Sequence, residues 1–534
     1  MNNLLIAEQF HRLSKLMELH QENIFKVKAI RNAASIIEKL HQEINETNYT
    51  KLADIKGIGK NILEKIREIL NTGKIKELEH YEHITPESVV ELLNIKGLGP
   101  SKVYKLWKEL HIYNIEVLIE SCEKNKLSTL KGFGEKTQQY ILENARFYLE
   151  NKHKLPLGLA LSLATEVQKI LKDQSIQAEV TGELRRQCEI VSTIEFITTD
   201  TLPLSLKKEF QKLSTTPILI HSVKKEDYVY HLFKTTGSAA YLNHIQFNQL
   251  KERYFNSEED IFTSLHQKYL PPFEREDPKE FFEVTKKYEN PANILQWKDI
   301  KGILHCHTIY SDGLNTVQEL ADYVRAQGFH YLCICDHSPS ARYARGLSVK
   351  RLFRQMEEIE AYNRKHPEFR ILKGIESDIL KDGALDYDEE VLKQLDVVVA
   401  SIHSHFEMTE NEATKRLIKA IENPFTTILG HLTGRLLSVR KGYSINHKKI
   451  IDACAANQVI IELNANTYRL DIDWRWLPYC MEKGVNIAIN PDAHEKSAIQ
   501  DTYYGVLVAQ KAGLTKDRCI NTWDVNTLLQ LKKY

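Results

Sequence analysis

Nowhere does this chain carry the roughly 18 consecutive apolar residues that would cross a bilayer. Its opening stretch, MNNLLIAEQF, has neither the charged nor the apolar region of a secretion signal. A cytoplasmic protein with no membrane partner is expected. The eight cysteines include no C-x-x-C pair, so reduced thiols are the simplest account. Cys333 and Cys335 alternate within an apolar run and read as strand residues. Net charge is missing as well: 72 Lys and Arg cancel 72 Asp and Glu, and only local patches could attract a nucleic acid. No oligomerisation signal stands out, so a monomer is the default. At 534 residues there is room for several domains.

What the chain does have is metal-type side chains in order along its last 230 or so residues: His305 and His307 (H-x-H), Asp312 (S-D-G), His337 (D-H), Glu376 (G-I-E), His403 (S-I-H-S-H), His431 (G-H), and Asp492 with His494 (D-A-H). Six imidazoles and three carboxylates suit Mn²⁺, Zn²⁺ or Fe²⁺ better than the all-oxygen preferences of Ca²⁺ or Mg²⁺. Nine ligands exceed one ion's needs, so two or three divalent ions are expected, and such clusters commonly hydrolyse phosphate esters. Apolar runs at 331–335, 370–374, 396–402, 427–429, 459–463 and 486–488 alternate with helical patterns at 316–327, 349–365 and 411–422. That alternation predicts parallel strands closing into a (β/α) barrel, with the ligands just beyond the strands' carboxyl ends. His405 is left outside the ligand set, and Asp336 is expected to support it. Arg435, in G-H-L-T-G-R, is either a phosphate clamp or a structural ion pair.

Three copies of one turn occupy the first third: Lys56-Gly57-Ile58-Gly59, Lys96-Gly97-Leu98-Gly99 and Lys131-Gly132-Phe133-Gly134, each before a helical pattern. Glycines permit positive φ, the middle apolar residue anchors the turn, and the next helix presents free N–H groups to a phosphate. Lys60, Lys102 and Lys136 would add charge. One copy could be an ordinary glycine turn; three resemble helix-hairpin-helix motifs, which grip a DNA backbone without reading sequence.

The order of parts resembles a family X DNA polymerase. The stretch 22–35 followed by Gly57 to Ile66 resembles its amino-terminal lyase domain. Gly182-Glu183-Leu184-Arg185-Arg186 resembles the G-S-x-R-R motif that binds an incoming triphosphate, and Thr236-Gly237-Ser238 resembles the T-G-S turn at the sugar. The metal constellation resembles the PHP domain, matching its ligand pattern at all nine places. Together these resemble the bacterial PolX architecture. The resemblance implies a multidomain α+β and α/β chain: 1–85 lyase-like, 86–150 fingers-like, 151–240 palm-like, 241–295 thumb-like with a linker, and 296–534 a PHP-type barrel, with the junction between halves near 289–299. It also implies DNA as partner (3′ ends, gaps or abasic sites), 3′→5′ exonuclease or end processing, usually with Mn²⁺, and a Schiff-base role for Lys65. Lys60, Lys26 and Lys28 are expected to supply the charge a lysine nucleophile needs. The alternative is that Lys65 merely touches phosphate.

The palm departs from that family. Its paired aspartates are replaced by Thr193 and Glu195, and the third, on a strand expected at 217–221, by Leu219. Glu183 stands where a serine faces the triphosphate and would repel it; Thr235 replaces the aromatic residue before T-G-S. Nucleotidyl transfer needs about three carboxylates around two ions, so loss of polymerase activity is expected. The competing alignment recruits Glu189 or Glu195 together with Asp200. A working polymerase with a proofreading nuclease, a small-molecule phosphatase of the histidinol-phosphatase type and a non-enzymatic DNA-binding scaffold are the other readings. Residues 471–476 and the last 20 carry no readable signal, and the proline-bearing loop 270–278 none beyond turn formation.

Overall fold

The computed structural model describes residues 3–38, 40, 44–45, 47–250, 253–276 and 293–531. Part of the expected junction, 289–292, and the end of the proline-bearing loop, 277–278, lie outside them. The chain divides into two compact units, residues 1–152 and 153–534.

The first unit is all helix. Long amphipathic helices (Asn3–Leu19, Ile24–Ile37, Lys60–Thr72, Pro100–Glu109, Glu135–Asn151) bury their apolar stripes in one core running from Ile6 to Ala145. The lyase-like and fingers-like segments share this core: His20 hydrogen-bonds Thr85 at 2.7 Å and packs edge-on to Trp107.

The second unit joins the palm-like and barrel segments. In the palm, β1 (Glu179–Thr181) pairs antiparallel with β2 (Ile194–Thr198), which pairs parallel with β3 (Ile218–Ser222). Helix Leu157–Asp173 covers the sheet, and its buried face (Ala160, Ala164, Val167) belongs to the same apolar cluster as the barrel's outer layer. The seam includes a polar contact as well. Trp474 Nε1 and Arg475 Nη1 reach Glu189 at 3.2 and 2.6 Å, so part of the unreadable stretch 471–476 docks the palm.

A seven-stranded parallel sheet follows: β4 (Gly302–Cys306), β5 (Tyr331–Ile334), β6 (Arg370–Asp378), β7 (Val397–Ser401), β8 (Ile428–Leu429), β9 (Ile460–Asn464) and β10 (Ile487–Asn490). Both faces are buried, which is why these strands read as apolar runs rather than alternating ones. Strand β4 is additional to the six expected, because its apolar stretch is broken by His305. The sheet nearly closes on itself: His307 N donates to Ala493 O at 2.8 Å. The fully buried Asn521 spans the seam, donating to Gly302 O (3.0 Å) and Ile489 O (2.9 Å) and accepting from Ile489 N (2.7 Å). Ile520 and Leu528 then pack under the inward-facing Leu304, Leu372, Val399 and Ile460. The last 20 residues, unreadable in sequence, thus contribute to the barrel's closure and floor.

Candidate metal centre and DNA-binding hairpins

The nine predicted ligands meet at the carboxyl end of the barrel. In β4 the pairing register shifts between Ile303 and Cys306. Such an irregularity re-aims side chains: Leu304 faces the barrel floor, while His305 and His307 both reach the basin above it. Glu376 is the hub. Its Oε1 lies 2.9 Å from His431 Nε2 and 3.2 Å from His403 Nε2; its Oε2 lies 2.9 Å from His337 Nδ1 and 3.7 Å from His307 Nε2. Asp492 Oδ1 is 3.0 Å from His307 Nε2, and Asp312 Oδ1 is 3.4 Å from His494 Nε2 and 3.6 Å from His337 Nε2. Three overlapping groups could each hold an ion: His307, Asp312, His337 and His494; His305, His307 and Asp492; His337, Glu376 and His403.

Two further observations fit a divalent cluster. Buried His305 Nε2 and His307 Nδ1 have no hydrogen-bond partner among the described residues, a state that buried polar atoms rarely tolerate. The electrostatics agree. Burial pushes Glu376 and Asp492 up, yet the surrounding histidines hold both well below the usual carboxylate range. His307 falls to about 3 through burial and its neighbours His494 and His337, whereas, against burial, the carboxylates raise His305, His403 (to about 10) and His494 (to about 9), so an ion binding there would displace protons.

Supporting residues complete the basin. Glu462, fully buried on β9, lies 3.1 Å from His305 Nδ1 and accepts from Asn464 Nδ2 at 2.7 Å. Asp378 lies 2.6 Å from His403 Nδ1. Neither stood out in the sequence, although each sits two residues from another inward-facing polar group on its strand (Asn464, Glu376), the spacing that puts both on one face. Asp336, as expected, supports the site: it accepts from Thr308 N (2.8 Å) and Ser311 N (3.2 Å), fixing the loop after the H-x-H pair. His405 is exposed and belongs to none of the three groups. Arg435 gives its guanidinium to Asp473 (2.8 Å), Arg469 O (2.9 Å) and Leu470 O. Of its two readings, these contacts support the structural ion pair. The arginine nearest the ligands is instead Arg469, whose Nε lies 3.5 Å from Asp492 Oδ2.

In each hairpin the two glycines do different work. The first (Gly57, Gly97, Gly132) sits at φ +107°, +92° and +99°; the middle residue (Ile58, Leu98, Phe133) is buried. The second (Gly59, Gly99, Gly134) is extended and caps the following helix, with no side chain on the free first turn. A Cβ there would meet nothing within 4 Å, so no internal packing demands glycine. An approaching phosphate backbone would. Lys60 and Lys136 are exposed, while Lys102 donates to Gly97 O at 3.0 Å and steadies its own turn. The two glycines should therefore separate on mutation. Gly97→Ala, strained in φ and placing its methyl 3.0 Å from the Tyr140 ring, should cost at least about 1–2 kcal/mol in thermal unfolding. Gly99→Ala should cost no more than about 1 kcal/mol of stability, the loss of a weak cap, yet weaken duplex binding several-fold in fluorescence anisotropy. Unchanged binding would show that the turn does not meet DNA.

Lys65 is buried and paired with Glu77 at 2.5 Å. Its ammonium meets a carboxylate, where the expectation was positive charge from Lys26, Lys28 and Lys60.

The palm's residues lie where the motif places them, engaged otherwise. Glu195 pairs in register with Leu219, which is 48% exposed, and its Oε2 lies 2.8 Å from His221 Nε2. Glu183 accepts from Ser192 N (2.5 Å) and Oγ (2.7 Å) and from Thr193 N (3.3 Å). Arg185 forms a fork with Glu258 at 2.9 and 3.0 Å, and Glu258 also binds the fully buried Arg275. Arg186 donates to Glu276 at 2.5 Å and Thr236 O at 2.7 Å. Glu189 is engaged with Arg475, and Asp200 accepts from Gln177 N at 3.0 Å. Glu189, Glu195 and Asp200 thus each have a different partner, and none of the three candidate metal groups among the described residues lies in the palm.

A helical grip built from glycine hairpins, a nucleotidyltransferase-like palm and a barrel with a metal-type basin define a multidomain DNA-processing protein with a PHP domain. Family models agree on the parts: a helix-hairpin-helix domain matches residues 1–75, a SAM-like helix-hairpin-helix tandem 89–146 and a PHP domain 304–466. The chain is 33% identical to the DNA polymerase/3′-5′ exonuclease PolX of Bacillus subtilis (strain 168), over 97% of this chain and 96% of that one, and it belongs to the PolX family. A probable phosphatase of Thermoanaerobacter sp. (strain X514) is 30% identical over 43% of this chain, and one of Clostridium novyi (strain NT) is 24% identical over 43%. Among the described residues no helix is long and apolar enough to cross a membrane.

Proposed function

We propose that the barrel hydrolyses DNA phosphodiesters, as a 3′→5′ exonuclease or a processor of 3′ ends and abasic sites, and that the palm no longer polymerises. The observation carrying this reading is the convergence of nine ligand-type side chains in one basin of a chain that also bears three hairpins. When bound, two or three divalent ions, Mn²⁺ first and Zn²⁺ or Fe²⁺ as alternatives, supply Lewis acidity toward water and phosphate. The protein's part is placement. His305, His307 and Asp492 would hold one ion, His307, Asp312, His337 and His494 another, and His337, Glu376 and His403 a third, with His431 beside Glu376 at 2.9 Å. Arg469 stands beside Asp492 and can meet developing phosphate charge. A small phosphate ester gives no reason for the hairpins, which disfavours the small-molecule phosphatase. The five-part division of the chain, a monomeric state and a cytoplasmic place remain part of this proposal.

The palm reading rests on Glu258 and Glu276. Each sets a carboxylate on an arginine of the motif expected to bind triphosphate, while Leu219 supplies no charge opposite Glu195. The test combines two assays on the intact chain. Labelled single-stranded, gapped and abasic DNA with Mn²⁺ should be degraded from the 3′ end, and His305→Ala and His403→Ala should abolish this. Degradation indifferent to both changes would place the chemistry elsewhere. Primer extension with dNTPs should give no product; extension that Glu195→Gln removes would restore the polymerase reading.

A further inference from the structure

The barrel's rim carries a feature that the metal basin does not use. Between β5 and helix Val349–Lys365, the chain leaves His337 and turns through Ala341-Arg342-Tyr343-Ala344-Arg345. Ala341 and Ala344 are buried, which throws Arg342, Tyr343 and Arg345 outward. Tyr343 is 68% exposed. Yet it does not face open solvent on every side: its ring centroid lies 5.8 Å from that of His337 and 6.4 Å from that of His403, at steep angles to both. It stands over the ligands with one flank uncovered.

The turn is held firmly. Ser340 N and Oγ both donate to Asp386 at 2.6 Å, and Leu347 N donates to His337 O at 2.7 Å. Arg351 ties the carbonyls of Arg345 (2.7 Å) and Tyr310 together. Gly346 admits no side chain, since a Cβ would fall 1.9 Å from Ser338 O. The backbone that carries Tyr343, Arg342 and Arg345 is therefore fixed relative to the basin before any substrate arrives.

An aromatic face between two cations, anchored beside a phosphoesterase centre, matches what single-stranded nucleic acid requires: a stacking surface for a base and positive charge for the phosphates. We propose that Tyr343 is a positioning residue that stacks on the 3′-terminal nucleobase, with Arg342 and Arg345 receiving the phosphates on its 5′ side. This rests on the nuclease reading above and adds a base-dependent selectivity to it. Ions and ligands alone would act on any phosphodiester that reached them; the rim selects an end that carries a base.

The experiment compares two 5′-labelled single-stranded oligonucleotides with Mn²⁺, one ending in an ordinary nucleotide and one in a tetrahydrofuran abasic residue. The wild-type chain should favour the base-bearing end by about tenfold in kcat/KM, mostly through KM. Tyr343→Ala should raise KM for that end by about the same factor, leave the abasic end unchanged and so erase the preference, while Tyr343→Phe should keep it. The abasic end reports in the same tube that the basin is intact. Tyr343→Ala slowing both ends alike, or neither, overturns the proposal while leaving the nuclease reading standing. Wild-type protein that cleaves neither end overturns both.

Discussion

Replacing Glu376 with Gln should lower Mn²⁺-dependent DNA hydrolysis by about 10³-fold or more, with the fold intact. The substitution keeps the shape and removes one charge from a side chain that is 1% exposed and lies within 3.7 Å of the ring nitrogens of five histidines. Both oxygens face different imidazoles, so an amide could serve one neighbour and would turn an N–H toward the other. A bridging carboxylate offsets cation–cation repulsion, and losing several kcal/mol of that charge stabilisation corresponds to the stated factor. Circular dichroism should match the wild type, and elemental analysis should show fewer than the wild-type number of ions per chain. Saturating Mn²⁺ should not restore the rate. Activity within tenfold of wild type would mean that the hub is not where the ions are bridged.

Much of the barrel site was legible because its signals are local. H-x-H, D-H and D-A-H lie immediately beyond or at the ends of short apolar runs, and in a parallel barrel those ends meet by construction. The hairpins were legible for the same reason: two glycines around one apolar residue, directly after a lysine, mark the same turn in all three places. What escaped depends on distant pairing. Strand β4 carries His305 and has only Ile303 and Leu304 as an apolar stretch before it, so its periodicity gives no strand signal. Asn521 looks like any polar residue near a chain end, and its role exists only once β4 and β10 face each other. Trp474 and Arg475 were unreadable because their partner, Glu189, is nearly 300 residues away in sequence.

The palm shows the same limit from the other side. The sequence identified which residues departed from the motif but not the partners of Glu183. In the structure its carboxylate is satisfied by Ser192 and Thr193, and the residues that engage the arginines are Glu258 and Glu276, far outside the motif. Burial pushes both of these carboxyls up, yet Arg185 and Arg275 hold Glu258, and Lys511 and Arg186 hold Glu276, below the usual carboxylate range. Lys511 comes from the barrel side, so the G-E-L-R-R segment is part of the joint that fixes palm to barrel.

Glu462→Gln should behave unlike Glu376→Gln, and the difference tests which carboxylates touch ions. Glu462 lies on the far side of His305, 3.1 Å from Nδ1, where it leaves Nε2 aimed into the basin. A carboxylate in that position fixes the ring's tautomer and orientation and makes the metal-facing nitrogen more basic; removing it typically costs about 10–100-fold in metal affinity. Glutamine can still accept at His305 Nδ1, but its amide then competes with Asn464, which donates to Glu462 at 2.7 Å. The apparent Mn²⁺ requirement should rise by that factor, and saturating Mn²⁺ should recover most of kcat. Asp378→Asn should do the same through His403, where the contact is 2.6 Å. A loss that no concentration of Mn²⁺ repairs would make Glu462 a ligand in its own right. An unchanged Mn²⁺ titration would mean that His305 is oriented by its strand alone.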